Sequence, residues 1–281
     1  MTELHGFDSA AMRRLLVHEA RVHAMPRRVF SDLGDAILLH DPIDPDPFWN
    51  RLEALRWPAE PAAFDRRLSE SFIQFATLGR RPHIWPSPGF DDPPDLVARL
   101  VSHGFEDIGR GQVMLLTKPD LARTALSGSG EATGTSIVER LHGLSGSAAG
   151  RSARDVVEVL LDAFEVEPER RTAIELETAV TLGHPDFWHY LVRFEGRPAA
   201  VARRGTFDGL SYLSSIGTTR WARGLGLGRL VTAAAAIDGH AAGSDWTYLG
   251  VFAENTAAIR LYERVGFAIL GEAGPDLLLV G

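Results

Sequence analysis

Apolar positions along this chain recur in two periods, and the repeated change from one to the other predicts a layered α/β protein. Helical spacing runs through Ser9–Ala24, where Leu15, Leu16 and Ala20 share a face behind Asp8 or Ser9 as N-cap. It returns behind Pro61, with Phe64, Leu68, Phe72 and Phe75 on one face, and again in 95–105 behind Pro93 and Pro94. A short helix is expected at 47–57, after the DPIDPDP loop. Strand-like runs stand at 36–39, 81–85 and 112–117.

The second half is patterned more sharply. Val156, Val157, Leu160, Leu161 and Phe164 have helical spacing, and Pro168 opens a further helix to 182. Phe187–Phe194 and 198–206 read as a hairpin turning at Glu195, Gly196 and Arg197, followed by a strand at 210–217. Next comes a helix with Leu227, Leu230, Val231, Ala234 and Ile237 inward, then a strand at Trp246–Phe252 and a helix at 255–265. Gly266 and Phe267 lead into an expected strand pair at 268–270 and 277–280. Between the halves, SGSGEATG and SGSAAGRS are rich in Gly and Ser and bracket a strand expected at 135–141. A boundary there gives units 1–126 and 127–281; the alternative is that both pieces are loops of one domain. The stretches 91–116 and 253–280 can be laid side by side as helix, Gly-Phe and two strands, a short internal repeat.

The chain's chemistry concentrates in IGTTRWARGLGLGR, residues 216–229. Glycines at 224, 226 and 228 leave an uncrowded backbone between a strand and a helix N-terminus, bracketed by Arg223 and Arg229. Unpaired N–H groups and a positive dipole end make such a turn suited to a phosphate or pyrophosphate. A P-loop would need Gly-Lys-Ser/Thr, but Gly228 is followed by Arg229 and Leu230. The dinucleotide fingerprint fails on glycine spacing, since Arg229 and Val231 stand where its last glycine belongs. The RGxGxG turn of an acyl-CoA binder fits every position.

Two blocks together resemble the GNAT superfamily of N-acetyltransferases. Arg223, Gly224, Leu225, Gly226, Leu227 and Gly228 match its Q/R-x-x-G-x-G/A motif, and 255–267, from Asn255 through Tyr262 to Phe267, matches its second block. The resemblance covers roughly 130–281 and implies a mixed central sheet flanked by helices. It extends to tandem-GNAT proteins such as mycothiol synthase, with the first half a degenerate GNAT-like unit without chemistry of its own. It further implies acetyl-CoA as co-substrate, with pantetheine paired to backbone groups near Ile216 and Thr218. The N–H groups from Gly224 to Arg229 would cradle the pyrophosphate, Asn255 would contact CoA, and Tyr262 would be the general acid that protonates the thiolate. A backbone N–H near Ile216 would polarise the thioester carbonyl. Arg220 and Thr218 depart from the family's usual Pro and Val. Direct transfer of acetyl to a primary amine is the expected reaction, and a CoA-binding sensor or structural module without turnover is the alternative. Glu177, His189, Glu195, Asp208 and Glu254 are the candidates for a general base, and His184, Trp188 and His189 for an acceptor pocket or hairpin packing.

Composition narrows the setting. With no cysteine, disulfides, thiolate metal sites and a thiol nucleophile are excluded, and no His/carboxylate spacing points to a metal. The net charge of −8 is spread over both halves without a basic stripe, so an amine acceptor, small or peptide, fits better than nucleic acid. No apolar run reaches the ~20 residues of a membrane span. The first residues lack a signal-peptide core, so a cytoplasmic monomer or homodimer is expected.

Overall fold

The computed structural model describes residues 7–127 and 137–280. Most of SGSGEATG and the first residues of the strand expected at 135–141 lie outside the described residues. In chain order the first elements are α1 (Ser9–Ala24), β1 (Val29–Asp32), β2 (Ile37–His40), β3 (Arg51–Glu53), α2 (Pro61–Thr77), β4 (His83–Trp85), α3 (Leu96–Ser102), β5 (Phe105–Leu116) and α4 (Pro119–Ser127). Then follow β6 (Val138–Leu141), α5 (Gly146–Ala163), α6 (Arg171–Gly183), β7 (Phe187–Phe194), β8 (Arg197–Phe207) and β9 (Leu210–Thr218). The last are α7 (Leu227–Ala241), β10 (Trp246–Phe252), α8 (Thr256–Val265) and β11 (Phe267–Leu279). None of the helices described is long and apolar enough to cross a membrane.

The chain forms two compact units and passes between them more than once. One comprises Met1–Val113, Val251–Asn255 and Ile269–Gly281, the other Met114–Gly250 and Thr256–Ala268.

In the first unit the strands lie in the order β1-β2-β3-β4-β11-β5. The first three are antiparallel neighbours, β3 and β4 run parallel, and β11 returns antiparallel on β4, with Leu277 opposite Ile84. The core joins Leu52, Leu55, Trp57, Phe64, Leu68, Phe75, Ile84, Leu100 and Phe105, so the Phe64/Leu68/Phe75 stripe of α2 faces inward as its spacing requires. A buried polar layer accompanies it. Arg51, fully buried, pairs with Glu53 at 2.9 Å and stacks on the Trp85 ring, while His83 bridges the Pro47 carbonyl and the Asp276 carboxylate. Each buried charge has an opposite partner, as burial demands.

In the second unit the order is β10-β9-β8-β7-β6. Two-residue turns join β7 to β8 and β8 to β9. Their left-handed residues are Glu195 (φ 51°) and Gly196 (φ 78°), then Asp208 (φ 49°) and Gly209 (φ 72°), the backbone that twisted hairpins favour. Antiparallel pairing ends at β9, whose other neighbour, β10, runs parallel to it. The crossover between them is α7, whose Ala233 to Ala236 are fully buried. A Cβ on Gly239 would meet Ser211 at 3.0 Å and Thr247 at 3.1 Å, so this helix needs small residues to lie close to β9 and β10.

The two halves of the chain therefore follow one plan: a parallel β-α-β crossover, then helix, left-handed glycine, Phe and a long strand. Gly104 (φ 92°) and Gly266 (φ 107°) occupy the same place in the two copies. The expected repeat is present with one correction: in each copy the two expected strands are a single long one, β5 or β11. In β11 the GEAGPD sequence resembles a turn, but Gly274 is there because a Cβ would lie 2.2 Å from the Pro86 carbonyl oxygen. Three other expectations change. Only Pro47–Trp49 forms a 3₁₀ turn where a helix to Trp57 was expected, since Arg51–Glu53 pairs with β2. SGSAAGRS is largely the first turns of α5, with Ala149 and Ala153 continuing the buried stripe of Val156 and Val157. The helix α4 was not anticipated, although Pro119 and Asp120 are ordinary helix-start residues.

Gly266 combines a φ of +107° with a virtual Cβ only 2.2 Å from the Lys118 carbonyl oxygen. Gly266→Ala should lower the unfolding free energy by about 2–5 kcal/mol, the sum of backbone strain and overpacking. Chemical denaturation showing a loss below about 0.5 kcal/mol would contradict this packing.

Candidate functional site

The candidate site lies where β9 separates from β10. Their parallel ladder pairs Trp246–Leu249 with Leu210–Leu213 and stops there, although β9 continues to Thr218. On its other edge β9 stays paired with β8, with one irregularity. Val201 faces Gly217 and Arg203 faces Ser214, so Ser215 and Ile216 together oppose Ala202. This is a β-bulge with Ser215 in the left-handed region (φ 51°), and it re-aims the backbone at Ile216.

Gly217 holds the end of α5 against this strand. A Cβ there would lie 2.9 Å from Ala163 Cβ and 3.2 Å from the Phe164 ring. Beyond Thr218 the chain makes a 3₁₀ turn, Arg220–Ala222, fixed by a side chain far away in sequence. Asp162 accepts from both the backbone N–H and Nε of Arg220. Although burial pushes the Asp162 carboxyl up, these bonds and the charges of Arg220 and Arg223 hold it below its ordinary value. The Arg223 guanidinium donates at 3.2 Å to the Ala163 carbonyl in the last turn of α5.

The glycine turn follows. Gly224 (φ 81°) and Gly226 (φ 78°) are both left-handed, and Gly226 is the N-cap of α7. The first i to i−4 bond of α7 runs from Leu230 N–H to Gly226 O at 3.1 Å, so the N–H groups of Leu227, Gly228 and Arg229 have no helical acceptor. Gly226 has no side-chain oxygen to cap them. A Cβ on Gly228 would lie 2.8 Å from Thr218 Oγ1 and 3.3 Å from Leu261, so the strand end, the turn and α8 converge at this residue. An anion is the chemical partner that this arrangement of N–H groups and helix dipole suits.

The residues expected from sequence are distributed as follows. Ile216 sits in the bulge and Thr218 ends β9, both half-buried; Arg223, Gly224, Leu225 and Gly226 are exposed; Leu227 is buried; and Gly228 and Arg229 are half-buried in the first turn of α7. Tyr262, one residue after Leu261 on α8, is buried with its ring 6.2 Å from that of Phe267. Burial pushes its phenol up to about 12, so it stays protonated across the neutral range. All of these belong to the second unit. Asn255 stands apart: it is exposed, donates its N–H to Phe252 O at 2.9 Å, and falls in the Val251–Asn255 segment that clusters with the first unit. Asp162 and Ser215 shape the site without having been singled out as its residues. Asp162 acts across 58 positions, which no local motif reveals.

The histidine-rich run GHPDFWHY packs the hairpin. Trp188 stacks on His142 with centroids 3.8 Å apart, His184 Nδ1 accepts from Asp186 N–H, and His189 Nε2 lies 2.9 Å from Thr181 Oγ1. Burial, with the nearby Arg203 charge, pushes His189 down to about 3. Its imidazole is neutral and too weakly basic for proton abstraction near neutrality. Glu195 and Asp208 are turn residues.

The model of the acetyltransferase (GNAT) family matches residues 153–267. Among solved structures, the chain is similar to a GCN5-related N-acetyltransferase from Kribbella flavida, with 21% identity, a TM-score of 0.67 and coverage of 96% of this chain and 95% of that one. A conserved protein of unknown function from Staphylococcus epidermidis is similar at 11% identity and a TM-score of 0.63, over 89% and 92% of the two chains. A tandem GNAT protein from the clavulanic acid biosynthesis pathway is similar at 15% identity and a TM-score of 0.61, over 92% and 86%. No curated protein matches the chain. At these identities the structures speak for the fold, and they do so over both halves.

In an NMR titration from pH 8 to pH 5, the ring of His189 should keep its neutral chemical shift, because its buried ring ionises only at about 3. A midpoint at an ordinary histidine value, ~6.5, would contradict its burial.

Proposed function

We propose, from the match of residues 153–267 to the acetyltransferase (GNAT) family model and from the geometry of the β9–α7 turn, that the chain transfers an acetyl group from acetyl-CoA directly to a primary amine. One observation carries the reading: in a single unit, a helix start with unused N–H groups adjoins a strand that has parted from its neighbour. The N–H groups of Gly224 to Arg229 would hold the pyrophosphate at the positive end of α7, with Arg229 adding charge from the first turn and Arg223 from the rim. Backbone groups of Ile216 and Thr218 would pair with pantetheine as an adjacent strand would. Asn255 would add a contact from the start of α8. The glycines matter because side chains would fill the turn: at Gly228 even a methyl group has no room.

Acetyl-CoA brings the activated acyl group, and the chain's own residues do the rest. Ile216 N–H, re-aimed by the bulge, donates to the thioester carbonyl and stabilises the charge that develops on its oxygen. Tyr262 serves the departing thiolate as acid. With its phenol at about 12, against ~8.5 for a simple thiol, its contribution is chiefly a strong hydrogen bond to the forming thiolate. Amine specificity and the final proton acceptor belong to groups around this core. The chain's net charge of −8 is in keeping with a cationic acceptor.

Purified protein incubated with acetyl-CoA and a panel of primary amines should release free thiol only when an accepted amine is present. Tyr262→Phe should lower kcat about 10²–10⁴-fold while leaving the KM for acetyl-CoA within a few-fold. Because Tyr262 stays protonated to about 12, wild-type kcat should show no descending limb from its ionisation between pH 8 and pH 10. Absence of both acetyl-CoA binding and amine-dependent thiol release would overturn the reading.

A further inference from the structure

The two units share one plan, so the first should contain a counterpart of the site just described. It lies after β3, where the chain leads through Ala54 to Glu60 into α2, as β9 leads through the glycine turn into α7. Even the left-handed kink is repeated, at Ala54 (φ 55°) and at Ser215 (φ 51°). What differs is the state of the backbone groups.

At the start of α2 no N–H group is left for a ligand. Pro61 has none, and the Glu60 carboxylate accepts from Ala62 N–H at 2.9 Å and from Ala63 N–H at 2.7 Å. Those two bonds hold the Glu60 carboxyl below its ordinary value. The first helical bond, Phe64 N–H to Glu60 O at 2.9 Å, completes the turn. The second unit has Gly226 in the corresponding place and no carboxylate.

The strand edge is also occupied. After Trp85 the chain loops out and comes back to pair with the continuation of β3. Asp92 N–H donates to Leu55 O at 3.0 Å, Trp57 N–H donates to Asp92 O at 3.1 Å, and Arg56 and Asp92 form a parallel bridge. Asp91 Oδ1 accepts from Leu55 N–H at 3.1 Å and Oδ2 from Ser87 N–H at 2.8 Å. Arg56 N–H goes to Asp35 O at 2.7 Å. The Asp91 carboxyl is deep enough in the protein for burial to push it up to about 7 despite these bonds. In the second unit the ladder between β9 and β10 ends at Leu213 and Leu249.

We propose that the first unit is a closed counterpart of the second: the Glu60 carboxylate stands where the second unit would hold an anion, and Asp91 and Asp92 stand where it would hold an extended ligand, so that each chain binds a single acyl-CoA. The stoichiometry rests on the acyl-CoA reading of the second unit; the closure of the first does not.

Isothermal titration of the full chain with acetyl-CoA tests this. One site per chain is expected in wild type. Gly224→Asp, which places a carboxylate in the second unit's turn at an exposed left-handed position that Asp tolerates, should raise Kd at least tenfold, as should Arg229→Glu. Two sites in wild type, or one site of unchanged Kd in both variants, would put acyl-CoA in the first unit and overturn the proposal. No binding at all would defeat the acyl-CoA reading and the single-site stoichiometry with it, while agreeing with a closed first unit.

Discussion

Backbone N–H and C=O groups inside a folded protein must find partners, and this structure turns on where regular pairing stops. In the second unit it stops twice at one place: β10 leaves β9 after Leu213, and α7 begins with N–H groups that no cap accepts. In the first unit the same two openings exist in the plan and are filled, one by Glu60 and the other by Asp91 and Asp92. The copies share the crossover and the helix-Gly-Phe block that follows it, and they differ in the groups that meet these two openings. A functional difference of this kind needs no change of fold.

The open site is held by packing and by one ion pair. Gly217 lets α5 press on β9, Gly228 lets Thr218 and Leu261 meet at the helix start, and Asp162 ties the Arg220 turn to the end of α5. Tyr262 is carried on α8 beside Leu261, so the same contact that closes around Gly228 also locates the phenol. Burial keeps that phenol protonated and makes His189 a neutral packing residue. Desolvation thus keeps both side chains neutral, which suits Tyr262 as a hydrogen-bond donor and removes His189 from the candidates for a general base.

Much of this was legible because it is local. The glycine turn, the stripe of α2, the hairpin turn at Glu195 and Gly196 and the helix-Gly-Phe block each declare themselves within a few residues. Misreadings arose where glycine served close approach between distant segments, as at Gly274 beside Pro86, because turn and contact share one residue type. Long-range effects were invisible for the same reason. Asp162 has no spacing relation to Arg220, and the bulge at Ser215 comes from register against β8, which no single strand displays. The closure of the first unit was equally hidden, since a Glu before Pro61 reads only as a helix start.

The most direct test of the central claim is amide hydrogen exchange of the full chain with and without acetyl-CoA. Protection should appear in Ile216, Thr218 and the stretch from Gly224 to Arg229, with Leu55, Trp57, Ala62 and Ala63 unchanged because their N–H groups already have partners. Bound acetyl-CoA that left the glycine turn unprotected, or that protected the start of α2 instead, would contradict the account.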